Sequence, residues 1–532
     1  MSEISSKLKL AEHLVGRGKI SRREFVQLAL AAGFTVAAAD AMFIKAARAE
    51  PKKGGHFKLA LGWGDTSDTL DPATYADQYT MVAIWGSADN GLTEVDAAGN
   101  AVGDLADTVE TADGAKKWVF KLRRGVTFHN EKTVTSDDVV ASFRHHMTED
   151  TKSPSKSLLK AVKDIKTDGP ETVIFELDGG NADFPYIISD IPIMPSAGGK
   201  ADWQSGVRTG AYVIEKFEPG VKTTLKKYPN YYRSDRGHFD SAEVLSIVDV
   251  AARTNALTTG EVHYIDRLDL KTLHLLKRNQ SIKILEVGGY GHYIFVMNVT
   301  VPPFDNVDVR TALKYSLDRE DIVKKVFLGH GQVGNDNPIA PSVKFAVDPQ
   351  PKHVYDPEKA KSYLKKAGFE ILKVDLSASD AAFANCVDAA LLWKEHATKA
   401  GIDLNVISEP NDGYWTNVWL KKPFVGSFWV GRPTCDWMFS IAYAADAQWN
   451  DTFWKHPRFN ELLIQGRSET DEVKRAAIYA EMQQLVHDDG GLVNLVFNTY
   501  VSAHDARLGH EEVAPNWPND GARLIERWWF EA

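Results

Sequence analysis

The chain of 532 residues has little cysteine, since Cys386 and Cys435 are the only two. Neither lies near a His-x-x-His pattern, so the thiols predict no zinc site, and we expect no metal. An oxidising compartment would permit a disulfide between them. Their separation along the chain does not establish that their Cα atoms come within bonding range, so the paired and the free states both stay open.

The sequence also lacks the common motifs of catalysis. It contains no Gly-x-Ser-x-Gly elbow, no His-Glu-x-x-His motif and no Walker loop, so nucleophilic, zinc and ATP chemistry have no candidate residues. The acidic pairs Asp137-Asp138 and Asp488-Asp489 are adjacent in sequence. On a helix or a strand, adjacent side chains diverge instead of flanking a bond. We therefore predict no enzyme, no catalytic residue and no cofactor.

Neither a basic excess nor a long apolar run is present. Asp and Glu (72) outnumber Lys and Arg (62), which gives a formal net charge of −10. No basic stripe occurs, so nucleic acid is not expected as a partner. After residue 50, no segment approaches the ~18 uninterrupted apolar residues of a membrane span, so the remaining chain is expected to be soluble.

The N-terminus has the pattern of an export signal. Arg22 and Arg23 precede a moderately apolar run over 25–39, and a small-residue pattern follows at 47–49 (Ala-Arg-Ala). Paired arginines, a short apolar region and an A-x-A-like site predict a cleavable Tat-type signal over residues 1–49 and a periplasmic protein. The apolar run is shorter than the ~20 residues that span a bilayer, and a retained anchor is the alternative.

Strand and helix patterns alternate along the rest of the chain. Apolar residues recur with a period near 3.6 over 385–400, whereas 118–122 and 172–177 read as strands. Thr135 and the acidic residues after it predict a capped helix start, so Asp137 and Asp138 are interpreted as capping residues. The neighbouring pair His145-His146 is interpreted as solvated on a helix surface. This alternation predicts an α/β protein with more than one sheet.

Several blocks resemble the family 5 extracellular solute-binding proteins, which are receptors of peptide, oligopeptide and nickel ABC importers. The matching blocks cover the chain after residue 50 in the family's order. They include 90–94 (NGLTE), 120–129 (FKLRRGVTFH), 135–139 (TSDDV), 208–212 (RTGAY) and 308–319 (DVRTALKYSLDR).

The resemblance implies a periplasmic binding protein-like fold (type II, cluster C), in which two lobes close on a cleft. Lobe I would combine residues 50–84, 208–297 and 494–532. An inserted domain, 85–207, would pack on lobe I, and lobe III would comprise 298–493. The chain would cross between the lobes near Met297 and Asn494, the expected hinges.

The implied function is that of a periplasmic receptor that captures di- or oligopeptide-like ligands and delivers them to ABC permease subunits. The ATPase subunits would be indirect partners, and the receptor is expected to be a monomer. A receptor for a non-peptide amine-bearing solute, such as an opine, a polyamine or an amino sugar, is the alternative within the family. A secreted peptide hydrolase is the alternative from another class.

Six of the fourteen tryptophans lie between residues 414 and 454, and rigid aromatic area suits a ligand pocket. From this stretch we predict Tyr414, Trp429 and Trp437 as ligand-binding residues. Asp436 matches the family's aspartate for the peptide α-amino group, and the competing interpretation is a salt bridge to Arg432.

One position departs from the family. Dipeptide receptors hold the ligand carboxylate with an arginine near the start of the helix predicted at 385, where this chain has Cys386, Val387 and Asp388. Arg432 is the candidate to replace that arginine. If Asp388 lies near Asp436, the cleft favours a ligand of net positive charge. Two further cleft-facing candidates, Tyr293 and Asn298, come from the matching strand region.

Overall fold

The fold is described from a computed structural model. The structure describes residues 53–531 except 76, 154, 411–413 and 448, together with residues 11, 20–32, 34, 39, 42 and 51. The helix Arg22–Ala31 carries the two arginines, and Ser21 caps it with a reciprocal bond to Glu24. The Ala-Arg-Ala pattern at 47–49 lies outside the described residues. Among the described residues, no helix combines the length and the apolar character that crossing a membrane requires.

One mixed sheet of 11 strands runs through lobe I and lobe III. In lobe I, His56–Leu61 pairs parallel with Ser241–Ser246 and Tyr264–Ile265. In lobe III, Leu372–Ala378 pairs parallel with Ile402–Ser408 and Phe424–Trp429. From edge to edge the strands are Tyr212–Glu218, Lys222–Lys227, Ser241–Ser246, His56–Leu61, Tyr264–Ile265, Leu492–Asp505, Ile282–Met297, Phe424–Trp429, Leu372–Ala378 and Ile402–Ser408, with Gln332–Val333 beside Leu492–Asp505.

Two long antiparallel strands, Ile282–Met297 and Leu492–Asp505, connect the lobes. Their pairing runs to Gly288, breaks, and resumes at His292, after which Ile282–Met297 also pairs with the lobe III strand Phe424–Trp429. A Cβ atom at Gly289 would stand 2.5 Å from the ring of Tyr500, so the close approach requires glycine there. The change of partners at 289–291 precedes the predicted crossing at Met297.

The inserted domain has its own four-stranded antiparallel sheet and its own core, formed by residues between 92 and 193. Its sheet order is Ala106–Ala112, Lys117–Leu122, Thr172–Leu177 and Val162–Thr167, and the helix Ser136–His145 packs beside it. The helical stretch Gln78–Thr80, Met81–Trp85 and Gly86–Ala88 runs through residue 85. The predicted start of the inserted domain at residue 85 thus falls within this helical stretch.

Local signals in the inserted domain had mixed outcomes. The capping interpretation is confirmed for Asp138, whose Oδ2 accepts bonds of 2.9 Å from the backbone N–H and the hydroxyl of Thr135. The solvated interpretation of the histidine pair is wrong. His145 Nε2 lies 2.6 Å from Asp71 Oδ1, and His146 is buried with Nδ1 2.7 Å from Ser153 Oγ. A helix surface that packs against another segment is not solvated, and sequence adjacency does not reveal such packing.

Helices dominate lobe III, as their periodicity predicts, and surround a core drawn from residues between 290 and 497. They are Val307–Tyr315, Arg319–Lys325, Pro357–Lys366, Cys386–Lys399, Tyr414–Asn417, Cys435–Ala442, Pro457–Ser468 and Glu472–Asp489. Helices elsewhere are Pro72–Thr74, Lys156–Leu159, Phe184–Ile187, Val250–Thr258, Leu273–Leu276, Pro518–Gly521 and Leu524–Arg527. The remaining short strands are Thr93–Val95, Ala101–Gly103, Ser196–Ala197, Lys200–Ala201, Leu508–Gly509 and Trp529–Phe530.

Candidate ligand-binding cleft

A cleft of about 1550 Å³ separates the lobes. Lobe I contributes side chains from the loops after its strands, the inserted domain contributes four residues, and lobe III contributes the start of its helix Cys386–Lys399 and the segment after strand Phe424–Trp429. The volume exceeds the ~300–1,000 Å³ of sites for drug-sized ligands. The cleft therefore has room for a ligand larger than one amino acid.

Aromatic side chains from both lobes line the cleft. Three of the six tryptophans in the 414–454 stretch are on its wall, namely Trp429, Trp437 and Trp449. Trp429 and Trp449 lie with ring centroids 6.2 Å apart. The other three lie outside the wall, and the indole N–H of Trp454 donates to Asp489 at 2.7 Å. The aromatic stretch therefore serves both the cleft and the lobe core.

Arg432 and Trp437 form a stacked pair on the lobe III wall. The guanidinium carbon of Arg432 lies 5.6 Å from the centre of the Trp437 ring, and its Nη1 donates to the Gly431 carbonyl oxygen at 2.6 Å. Within the described part of the chain, no carboxylate forms an ion pair with Arg432 at 4.0 Å or less. Burial lowers the pKa of Arg432 to about 10, against the attraction of Asp190. Arg432 is therefore a charged donor available to an anionic ligand group.

Tyr293 lies where the two lobes meet. Its ring stacks on Phe383 with centroids 4.7 Å apart and an interplanar angle of 9°, and both rings line the cleft. Burial raises the pKa of the Tyr293 hydroxyl, so it stays protonated and can donate a hydrogen bond.

Asp388 is exposed on the cleft wall, in the first turn of the helix Cys386–Lys399. Asn385 precedes this helix in the left-handed conformation, with φ 63°, and also lines the cleft. The start of this helix, where the resemblance implies an arginine, thus presents an amide and a carboxylate to the cleft of this chain.

Asp436 does not line the cleft, although the resemblance predicts it as the amine ligand. It is 4% exposed, and its carboxylate oxygens lie 3.2 and 3.3 Å from Nε of Arg467. Burial raises the pKa of Asp436 to about 6, against the attraction of Arg467. The predicted competing salt bridge to Arg432 does not form either, because the helix Cys435–Ala442 directs Asp436 towards Pro457–Ser468. Two close carboxylates, Asp388 and Asp436, therefore do not share the cleft.

Two other predicted residues also lie away from the wall. Tyr414 is buried in lobe III, where its hydroxyl donates to the Gly426 carbonyl oxygen at 2.7 Å. Asn298 closes a local turn. Its side-chain oxygen accepts hydrogen bonds from the backbone N–H of Thr300 at 3.0 Å and from the Thr300 hydroxyl at 2.6 Å. Both side chains have structural roles in this conformation.

Several wall residues were missed by sequence reasoning. Asp190 of the inserted domain lines the cleft, and burial raises its pKa to about 6, against the attraction of Arg523. Trp63 and Arg267 of lobe I line the cleft as a cation–π pair, and Trp517, from the C-terminal segment of lobe I, also lines it. These residues sit in four separate segments, and no local pattern marks any of them. A search for isolated tryptophans beside turns could have found Trp63 and Trp517.

The two cysteines are free and buried. Cys435 donates weakly to the Lys344 carbonyl oxygen at 3.4 Å. No group of three or more His, Cys, Asp or Glu side chains arranged for a metal ion occurs within the residues that the structure describes.

A cleft between two lobes joined by crossing strands is the architecture of the periplasmic binding protein fold, in the form seen in oligopeptide-binding structures. Residues 100–451 match the family described as bacterial extracellular solute-binding proteins, family 5 Middle. The chain belongs to this family, so the resemblance and the expected fold class are confirmed.

Similar proteins include binding proteins with different ligands. The glutathione-binding protein GsiB of Pectobacterium atrosepticum is 23% identical over 470 residues, covering 85% of this chain and 91% of the relative. The oligopeptide-binding protein OppA of Bacillus subtilis is 24% identical over 467 residues, covering 79% and 83%. The solved structure of the binding protein AgaA from A. tumefaciens R10, in complex with agropinic acid, has a TM-score of 0.71 at 22% identity, covering 90% and 99%.

Proposed function

We propose that the protein is a periplasmic receptor of an ABC importer that captures peptide-like solutes by lobe closure and delivers them to a membrane permease. The observation that carries this proposal is the cleft of about 1550 Å³ between the lobes, with aromatic and charged side chains from all three domains. Only a closed form lets groups from both lobes touch one ligand, so ligand binding favours closure.

The wall chemistry supports a ligand that carries both an amine and a carboxylate. Arg432, stacked on Trp437, is the proposed partner of the ligand carboxylate. Asp190 of the inserted domain and Asp388 of lobe III are the proposed partners of the ligand amine. Tyr293 would donate to a ligand backbone carbonyl. Charge-assisted bonds of this kind, made in a space with little water, supply orientation as well as affinity.

The family and the sequence support the proposed location and partners. We propose export through the Tat pathway under the direction of residues 1–49, a monomeric mature protein, and docking of the closed lobes on permease subunits. The relatives' names as binding proteins agree with capture and release of an unaltered ligand.

A non-peptide amine-bearing solute is the second candidate. Cys386, Val387 and Asp388 stand where a dipeptide receptor is expected to have its arginine, and the similar AgaA structure holds agropinic acid. An opine-like ligand would still present a carboxylate to Arg432 and an amine to Asp190.

Native mass spectrometry of protein purified from its own periplasm would test the function. We expect a co-purifying amine-bearing solute, and adding that solute back should reduce the radius of gyration in solution scattering. Release of the solute with its mass unchanged supports a receptor. Recovery of a cleaved or modified product, without a change in scattering, would contradict it and favour the hydrolase.

A further inference from the structure

Arg267 of lobe I has an unusual backbone for an arginine. Its φ of 50° lies in the left-handed region, which residues with a side chain adopt when their surroundings hold them there. Two hydrogen bonds hold Arg267 in this conformation. Arg253 Nη2 donates to the Arg267 carbonyl oxygen at 3.2 Å, and Arg267 Nη1 donates to the Gly62 carbonyl oxygen at 3.2 Å. The fold thus fixes the direction of the Arg267 side chain.

The acidic residues beside Arg267 are engaged elsewhere. Asp266 Oδ1 lies 3.6 Å from Nε of Arg253 and accepts from the backbone N–H of Gly62 at 2.8 Å. Asp269 accepts hydrogen bonds from backbone and hydroxyl groups of its own turn. Among the residues with described positions, no carboxylate lies within 4.0 Å of the Arg267 guanidinium. Its positive charge is therefore left for a group from outside the chain.

Arg267 is exposed, and an aromatic ring supports it from one side. Its guanidinium carbon lies 4.3 Å from the centre of the Trp63 ring, and Trp63 is itself 36% exposed. The Trp63 ring and the bond from Nη1 to Gly62 hold the planar guanidinium, and its remaining N–H donors stay available to a ligand. Arg267 lines both the cleft and an adjoining open hollow of about 780 Å³, so a ligand group can reach it from the cleft.

We propose that Arg267 and Trp63 form a second anion-binding position, on lobe I, which takes a carboxylate of the ligand beyond the one assigned to Arg432. The inference rests on the proposed function and narrows its ligand class. The ligand is then a peptide or related solute with an acidic side group in addition to its terminal carboxylate. Two arginines from opposite lobes, each stacked on a tryptophan, would hold these groups only when the lobes are closed.

Three matched tripeptides test the position. Alanyl-alanyl-glutamate has two carboxylates, alanyl-alanyl-glutamine has one, and alanyl-alanyl-glutamine amide has none. We expect titration calorimetry to show affinity falling by about tenfold at each step, since each step removes a charge-assisted hydrogen bond. Arg267→Gln should bring the glutamate peptide to the affinity of the glutamine peptide and leave the glutamine peptide nearly unchanged.

Two further variants distinguish the effect of the Arg267 guanidinium from that of its backbone conformation and from the loss of any lobe I cation. Arg267→Gly removes the guanidinium and suits a positive φ, so it should fold and bind like Arg267→Gln. Lys277→Gln removes an exposed lobe I cation that pairs with Glu286 at 3.4 Å, and it should keep the wild-type order of affinities. Equal binding of the glutamate and glutamine peptides by the wild type would overturn the second position, as would failure of all three peptides to bind.

The failure of this inference and the failure of the receptor function are distinguishable. Spermidine has amines and no carboxylate. If spermidine closes the lobes and the peptides do not, the receptor function is supported and the second anion-binding position is contradicted. If the protein releases a peptide in cleaved form, the receptor function itself is contradicted.

Discussion

The inserted domain contacts lobe I and lobe III in different ways. Its contact with lobe I is a buried charge cluster in which Glu94 lies 3.0 Å from Arg233, 2.6 Å from Arg236 and 3.8 Å from Arg523. Its described contact with lobe III includes one buried ion pair, Asp183 with Arg475 at 2.7 Å. The backbone N–H of residue 182 also donates to a lobe III carbonyl oxygen at 2.7 Å.

The difference indicates which contact can open. Burial raises the pKa of Glu94, but its arginines, Arg236 foremost, hold it well below its usual range, so the carboxylate stays ionised inside the cluster. Separating such a cluster would break several buried charge pairs at once and leave Glu94 without any of its arginines. A single ion pair can be exchanged for water at much lower cost. We infer that the inserted domain moves with lobe I and that lobe III moves away from both.

The largest expected effect comes from breaking the first contact. Glu94→Ala removes the buried carboxylate nearest to both Arg236 and Arg233, and we expect the free energy of unfolding to fall by about 3–5 kcal/mol. Urea unfolding measures the change. The control is Arg124→Ala, which removes an exposed ion pair with Glu171 in the same domain and should cost less than about 1 kcal/mol. Equal losses in the two variants would show that the cluster does not hold the domains together.

The second contact should affect closure more than folding. Asp183→Asn leaves Arg475 without its counter-charge as long as the inserted domain and lobe III stay in contact, whereas their separation returns the arginine to water. We expect ligand affinity to fall by about tenfold, with a larger ligand-free radius of gyration and a nearly unchanged unfolding midpoint. The control is Arg458→Gln, which removes an exposed pair with Glu481. Glu481 lies on the helix Glu472–Asp489, which also carries Arg475. A lower midpoint with unchanged affinity would make the ion pair structural.

Much of the fold was predictable because its signals are local. The predicted helix over 385–400 is Cys386–Lys399, and the predicted strand over 172–177 has those same bounds. The capping role of Asp138 follows from residues within one helical turn. Periodicity and capping depend on neighbours along the chain, so the sequence carries them directly.

The site was less predictable because its partners are distant in sequence. Asp436 meets Arg467, which lies 31 residues later on another helix, and this pairing removes it from the cleft wall. Arg267 and Asp190 reach the cleft from segments with no distinctive pattern. Aromatic composition located part of the wall, at Trp429 and Trp437, but it could not separate cleft tryptophans from core tryptophans.

The smallest expected effect is the pH dependence of stability at the contact between the inserted domain and lobe III. Asp436 and Arg467 lie there beside the ion pair of Asp183. The pKa of Asp436 is raised from 3.8 to about 6 in the folded protein, so between about pH 4 and 6 the folded protein binds a proton that the unfolded chain does not. The contribution of Asp436 to stability therefore rises as pH falls through about 6, which amounts to about 1 kcal/mol between pH 7 and pH 5.

Asp436→Asn should remove this contribution. Because Asp89 at the first contact also has a pKa of about 6, only the difference between wild type and variant isolates Asp436. The free energies of unfolding of wild type and variant at pH 5, 6 and 7 measure that difference. We expect the wild type to gain stability relative to the variant as pH falls. A difference that stays constant with pH would mean that Arg467 keeps Asp436 ionised, as the arginines keep Glu94. The two contacts would then differ in the number of their charges and not in their response to protons.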